Sequence, residues 1–405
     1  GNEKVRDYLY NIQILDSNKI HNNTLVLSKD KSLTTLTNKN VSLFKIDKIE
    51  LSNDNKLVYI LDKFQNQINI YNINTGEYLN NISIPVKVKN FFRNNNNPNH
   101  WKWNYLNADA EIINFLNSKD TLTVFFKAYS VKVKYKKTNE QSIDTTVLII
   151  PNILIARYHK YKLVSIKPFN NLNYDLNFDN IYIYNNKYFI TGLPKLNNNY
   201  PYSENPDSIP IIFTVDDKFI VVNPILNKNN FESIIGHKYY TFFEPNISSS
   251  KNNNAQISKF VLLNVLNHTI LSLKFISDDV NITELKPYGY LFEIFDNIKT
   301  QTITPWGLLN NKEQYSFNTK YGIYDSIYLG NNIYFLLYKL DTRNYIRNMI
   351  IYKYENNAYK RTYILKNNLD NEIIDAKLLA GNSNQVYIFL KLKDIGWCFN
   401  KFSLL

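Results

Sequence analysis

Between positions 51 and 85 the chain reads LSNDNKLVYILDKFQNQINIYNINTGEYLNNISIP, and this stretch restricts the fold more than any other. Residues 57–61 form a β-branched and aromatic run, residues 68–73 alternate apolar with polar, and residues 78–84 give a third extended segment. Asn53-Asp54-Asn55, Gln65-Asn66-Gln67 and Asn74-Thr75-Gly76 separate them at the short spacing of antiparallel hairpins. Three such strands make a meander. Both its faces are apolar, so each face needs a neighbour stacked on it.

The same pattern recurs. Residues 325–328, 333–340, 348–354 and 360–365 read as four strands, and residues 373–379, 385–391 and 396–402 as three with no fourth. Less regular groups fill residues 107–168, 178–226 and 237–276, with residues 121–129 and 131–136 read as separate strands before a polar hinge at 137–144. A period of about 45 to 60 residues is that of a propeller blade. The N-terminus carries spare strand candidates at 8–15 and 24–27, and lending one to the last unit would close a ring and remove its open edges. The expectation is therefore an all-β fold, a single β-propeller domain over residues 1–405. It has four-stranded antiparallel blades, six of them or seven if residues 287–317 count separately, with the ring closed by an N-terminal strand. A sandwich or β-helix is the competing architecture; helical periodicity is nearly absent. Three segments break the pattern and are expected as long loops, at 86–106, 196–210 and 246–256.

Composition supports a packed core. Hydrophobic residues make up 44% and aromatics 15%, with 32 Tyr and 24 Phe, which excludes a disordered chain. Asn is exceptionally frequent alongside Lys, Ile and Tyr, as an AT-rich coding sequence would produce. The net charge of +12 raises nucleic-acid binding, but the lysines are scattered through the chain. Their densest run, Lys132-Val133-Lys134-Tyr135-Lys136-Lys137, alternates as the solvated face of an edge-side strand does and guards against edge pairing. No nucleic-acid partner is expected. Cys398 stands alone in an apolar run, so it reads as a core residue and builds no disulfide. No run of 18 apolar residues offers a membrane span. The chain begins at Gly1 without an initiator Met, as a trimmed or processed form does.

The phrase NKLVYILDKFQNQINIYNINTGEYLNNI resembles a blade of the NHL/TolB-like six-bladed β-propellers. The matching positions are Asn55, Tyr59-Ile60-Leu61-Asp62, Gln67-Ile68-Asn69-Ile70-Tyr71-Asn72, Gly76 and Tyr78-Leu79. Residues 330–340 with 349–354 repeat it more loosely, as do 384–392 and 187–191. The chain departs from that family in having only 10 Gly, with Asn at most turn positions, and it lacks the Trp-Asp signature of WD40 repeats. The resemblance implies an exported protein, periplasmic or at the cell surface and often lipid-anchored, with a cytoplasmic location as the alternative.

Catalytic motifs are absent. The five His are scattered without metal-ligand spacing, and there is no P-loop, G-x-G-x-x-G or G-x-S-x-G. Some propellers hold calcium at the central channel, for which Asp62, Glu111, Asp179, Asp216, Asp217, Asp325 and Asp375 are the acidic candidates. The strongest binding stretch follows the Asn run, where His100, Trp101, Trp103 and Tyr105 alternate. Flat aromatics beside amides stack on sugar rings or anchor protein contacts, although Trp101 and Trp103 tucking against a neighbouring blade and capping the core is the weightier account of the pattern. Tyr200 and Tyr202, with Glu204, form a second such group. A non-catalytic binding or scaffolding role follows, with a protein or glycan partner, loops on one face as the contact surface, and no cofactor. The alternative is a calcium-dependent hydrolase or lyase.

Overall fold

The computed structural model describes the backbone of residues 24–27, 34–35, 46–52, 54–95, 110–118, 120–139, 142–169, 176–184, 187–194, 210–215, 221–227, 249–251, 257–264, 269–276, 279–286, 298–301, 314–317, 321–329, 332–381 and 385–403, and side chains mainly within 46–90, 110–127, 153–168 and 325–403. Two short strands come first, β1 (Thr24–Leu27) and β2 (Thr34–Thr35). The first sheet is β3 (Ile46–Leu51), β4 (Leu57–Asp62), β5 (Gln67–Asn72) and β6 (Tyr78–Ile82), followed by helix α1 (Val86–Asn95). The second is β7 (Glu111–Ser118), β8 (Thr121–Asn139), β9 (Ser142–His159) and β10 (Lys162–Phe169). The third is β11 (Leu176–Tyr184), β12 (Lys187–Pro194), β13 (Pro210–Val215) and β14 (Val221–Asn227). The fourth is β15 (Ser249–Lys251), β16 (Ile257–Asn264), β17 (Thr269–Ile276) and β18 (Asp279–Leu285). A two-stranded pair follows, β19 (Ile298–Gln301) with β20 (Gln314–Phe317). The fifth sheet holds β21 (Tyr321–Leu329), β22 (Asn332–Leu340), β23 (Ile346–Glu355) and β24 (Ala358–Asn367). The sixth holds β25 (Ile373–Ala380), β26 (Gln385–Leu392) and β27 (Gly396–Ser403).

Each four-stranded sheet is an antiparallel meander in chain order. The first strands pack against the neighbouring sheets in a cycle: β3 lies against β7, β7 against β11, β11 against β16, β15 against β21, β21 against β25, and β25 back against β3. The fold is a β-propeller. Its first strands form the inner ring.

Side-chain alternation explains why the sheets stack this way. In the first sheet Tyr59, Leu61, Ile68 and Ile70 pack with Ile112, Phe115, Val124 and Phe126 of the second. The residues between them, Val58, Ile60, Tyr71 and Ile73, pack with Leu379, Tyr387, Phe389 and Phe399 of the sixth. Both faces of the middle strands are thus buried, at about 1.5–3 kcal/mol for each large apolar side chain, whereas Leu79 and Asn80 of the outer β6 are exposed. The fifth and sixth sheets repeat the arrangement through Tyr334, Leu336, Ile351, Ile388 and Leu390.

The N-terminal segment closes the ring as the strand count predicts. Thr34 and Thr35 pair antiparallel with Phe399 and Cys398, giving the sixth sheet its fourth strand. β1 adds something the sequence did not suggest, a parallel fifth strand on β24.

Many turns use Asn where a Gly-rich repeat would use Gly. Asn55, Asn66, Asn344, Asn356 and Asn357 all have positive φ, a conformation that Asn tolerates better than other residues bearing a Cβ. Asn356-Asn357 alone joins β23 to β24, with φ of 50° and 66°, the signature of a two-residue hairpin turn. Replacing Asn357 by Val is expected to cost roughly 1–2 kcal/mol in urea denaturation, while Asn357→Gly leaves the midpoint nearly unchanged.

Four expectations are corrected. Residues 86–95 are helical, not loop: Pro85 offers its carbonyl to the amides of Val88 and Lys89, and Val88 is fully buried in the core between the first two sheets. Residues 121–139 are one strand of 19 residues, because cross-strand pairing with β9 runs on through the supposed hinge to Asn139 opposite Ser142. Within 246–256, residues 249–251 pair with β16. Strand β18, which the sequence reading passed over, is the outer strand of the fourth sheet. The strand candidate at 8–15 and residues 237–248, 287–297 and 302–313 lie outside the described residues.

Candidate functional site at the bulged ends of the inner strands

Five of the six first strands carry one extra residue at the same place. The pairing skips Asp47 in β3, Ile113 in β7, Asp179 in β11, Tyr324 in β21 and Ile374 in β25. The next residue is polar every time: Lys48, Asn114, Asn180, Asp325 and Asp375. Bulges re-aim a strand and concentrate at barrel rims and sites. The residue before the skipped one is Ile in four strands and Phe178 in β11, but so short an apolar-x-polar pattern recurs throughout this chain and only the ladder register singles out these five.

Where side chains are described, these polar residues tie one sheet to the next. Lys48 donates to Asn114 Oδ1 at 2.7 Å and to the carbonyl of Phe115, and lies over the Phe115 ring. Burial pushes its ammonium down to about 7, against the opposing charge of Asp47. Asp325 accepts from the amide of Leu378 at 2.6 Å through Oδ2 and from that of Ser326 at 2.9 Å through Oδ1. Burial raises its carboxyl to about 6, although Lys377 and the two amides favour the charged form. Asp375 accepts from Ala376 in the same local manner.

The β4–β5 turn stands beside these bulges. Asp62 Oδ1 accepts from Phe64 and Gln65, shaping the turn, and Asn66 makes a reciprocal pair with the carbonyl of Ala110 and the amide of Ile112. Lys63 reaches the carbonyl of Ile112. The chain returning from residues 96–109 is therefore pinned at its re-entry. On the fifth and sixth sheets Arg343 bridges to Glu372 at 2.8 Å, and the Tyr345 ring lies within cation–π distance of Arg343 and Lys393.

In a meander every fourth strand ends where the next first strand begins. The bulges, the β4–β5 and β22–β23 turns, helix α1 and the strand ends flanking 195–209 accordingly lie at one end of the ring. Of the exposed large apolar residues among the described ones, four belong to that end, Phe64 and Val86 at 74% and 71% exposure with Ile374 and Ile395 on the adjacent sixth sheet, and three, Leu79, Tyr161 and Val164, belong to the opposite end. The strand ends flanking residues 252–256 belong to the opposite end, which separates that loop from the other two.

Of the residues singled out from sequence, His100, Trp101, Trp103, Tyr105, Tyr200, Tyr202 and Glu204 lie outside the described residues, as do Asp216 and Asp217. Asp62 and Asp325 are spoken for by backbone amides, and Glu111 is exposed at the start of β7. Among the described residues no three or more His, Cys, Asp or Glu stand close enough to share a metal ion. No helix among them is long and apolar enough to cross a membrane.

No family model and no curated protein matches the sequence. Solved structures align over most of the chain at low identity. A candidate exported protein of Bacteroides fragilis aligns at 10% identity and a TM-score of 0.46, covering 92% of this chain and 95% of its own. Regucalcin, a calcium-binding protein of Agrobacterium tumefaciens, aligns at 7% identity and 0.43, covering 94% and 95%. The β-propeller domain of a Myceliophthora thermophila Swd1 protein aligns at 6% and 0.41, covering 90% and 99%. The assignment as a β-propeller rests on this chain's own sheet order and on the closed cycle of contacts between its sheets.

Proposed function

We propose that this protein is a non-catalytic binding propeller of six blades, with β19 and β20 inserted between the fourth and fifth, that holds a protein or glycan partner at the bulged end of the ring. The observation that carries the reading is the exposed ring of Phe64 at that end, on a turn fixed from beneath by Asp62 and Asn66, with Val86 exposed at the start of helix α1. A large ring exposed on a rigid turn costs little conformational entropy to bury, which is how aromatic anchors give affinity. The described residues that flank 96–109, which include His100, Trp101, Trp103 and Tyr105, stand at the same end, as do those that flank 195–209, which include Tyr200 and Tyr202. Among the described residues, five four-stranded sheets and one five-stranded sheet support the count of six, and the cycle of six contacts agrees with it. The order of turns in the first sheet is in keeping with an NHL/TolB-like type, and the exported location is proposed on that resemblance alone.

The calcium-dependent alternative needs convergent carboxylates, and two of its candidates, Asp62 and Asp325, already serve backbone amides. Partner capture by the intact protein tests the proposal. Phe64→Ala is expected to leave the melting temperature within the scatter of the wild type, because its ring is solvent-exposed, and to weaken binding by about tenfold. Trp101→Ala with Trp103→Ala should behave alike. Unchanged binding in both variants, or unfolding of the double variant, would remove this surface from consideration.

A further inference from the structure

Strands β8 and β9 run far beyond the sheet that anchors them. β7 pairs with β8 only up to Lys127, and β10 pairs with β9 only from Ile153. Among the described residues, from Ala128 opposite Asn152 to Asn139 opposite Ser142, the two strands pair with each other alone. At 3.3 Å per residue this is a ribbon of about 40 Å. It leaves the ring at the bulged end, since β8 reaches that end at Lys127. A lone two-stranded ribbon is marginal in water and presents two rows of unpaired backbone groups.

The two edges are not equivalent. Lys132, Lys134, Lys136 and Lys137 all belong to β8, whereas residues 142–152 of β9 contain no lysine or arginine and include the run Val147-Leu148-Ile149-Ile150. By register Val131, Val133 and Tyr135 share a face with Ile149, Val147 and Thr145. An incoming strand therefore meets a lysine-bearing edge on one side and, on the other, a β-branched edge whose one charged residue is Asp144 near the tip. Pro151 has no amide hydrogen and bounds the open edge at its base.

We infer that the ribbon is a self-association arm: residues 142–150 of β9 pair antiparallel with the same residues of a second copy, giving the order β8-β9-β9-β8. This inference goes beyond the proposed binding surface and does not depend on it. Only a two-fold pairing through β9 leaves the lysine-bearing strand outermost on both sides, so the assembly guards both new edges and stops at two copies. A foreign strand on β9 would cover the open edge but bring its own edge in turn. Residue parity is kept across the two-fold, so the apolar rows of both copies fall on one face of the new sheet.

Sedimentation velocity of the full chain tests this. The wild type is expected to dimerise by about 100 μM. Val147→Lys with Ile149→Lys sets like charges across the pairing and should weaken dimerisation at least tenfold, with the circular dichroism melt of the ring unchanged. Deleting residues 130–150, outside the four-stranded part of the sheet, should give a monomer. Replacing Lys132, Lys134 and Lys136 by Ser should let assembly continue past two copies. A wild type that stays monomeric, a double-lysine variant that dimerises unchanged, or a serine variant that stops at two overturns the arm. Partner binding through Phe64 is read separately on the monomeric deletion variant, so either proposal can fail alone.

Discussion

Asp325→Ala is expected to destabilise the protein by roughly 2–3 kcal/mol, because it orphans the buried amides of Leu378 and Ser326. The loss concerns the seam between the fifth and sixth sheets, so urea denaturation should show an earlier midpoint. Asp325→Asn should behave differently. Its amide oxygen can still accept from Leu378, and the desolvated charge is gone. The pH dependence separates the two effects. With its folded carboxyl near 6 against an ordinary value of 3.8, the folded state keeps a proton that the unfolded chain has released. Stability from this group is therefore full at low pH and falls between about pH 4 and 6. Lys48 acts in the opposite sense. Its folded value near 7 against 10.5 means that the unfolded chain binds the extra proton, so stability rises from about pH 7 to 10. Together the two residues impose a trough near pH 6–7. Subtracting the profile of Asp325→Asn from that of the wild type should yield the acid limb alone, and Lys48→Met the alkaline limb. A flat difference for both would mean that these groups are not buried as the interblade contacts require.

Deleting residues 1–40 is expected to have the largest effect. It removes β2 from the sixth sheet and β1 from the fifth, uncovering β27 and β24. With about 1 kcal/mol net for each ladder hydrogen bond, the loss is on the order of 3–5 kcal/mol. Cys398 reports it directly. Its thiol is fully buried, lies opposite Thr35, and is pushed by burial up to about 12, so it resists alkylation in the closed ring. In the truncated chain β27 becomes an edge, and Cys398 should be modified at a rate approaching that of the unfolded protein. If Cys398 stays protected and the melt is unchanged, the N-terminal strand does not hold the ring shut.

The first sheet was legible because its two faces are both buried. Tyr59 and Leu61 face one neighbour while Val58 and Ile60 face another, which produced the apolar run that stood out in the sequence. The same pressure made residues 333–340 and 385–391 readable. Helix α1 was missed because only ten residues carry it and Asn dominates its end, so composition spoke louder than the position of Val88. The length of β8 was missed for the reverse reason. Lys132, Lys134 and Lys136 look like an outer strand wherever they occur, and alternation cannot tell whether a third strand lies alongside.

The candidate site was barely legible. Asp62 and Asp325 drew notice as acids near strand ends, yet a carboxylate that shapes a turn and one that binds calcium look alike in a sequence. Their partners, the amides of Phe64 and Gln65 in one case and of Leu378 in the other, decide the matter. Leu378 lies more than fifty positions from Asp325, too far for any local pattern to signal. The sequence by itself determined strand content, meander units and the need for an N-terminal strand, because burial on two faces and short turns are written residue by residue. Tertiary structure alone decided which polar residues stand side by side at the bulges and how far the β8–β9 ribbon outruns its sheet. The first depends on which strands of neighbouring sheets lie alongside and the second on where a third strand stops pairing, and the alternation of residues within one strand encodes neither.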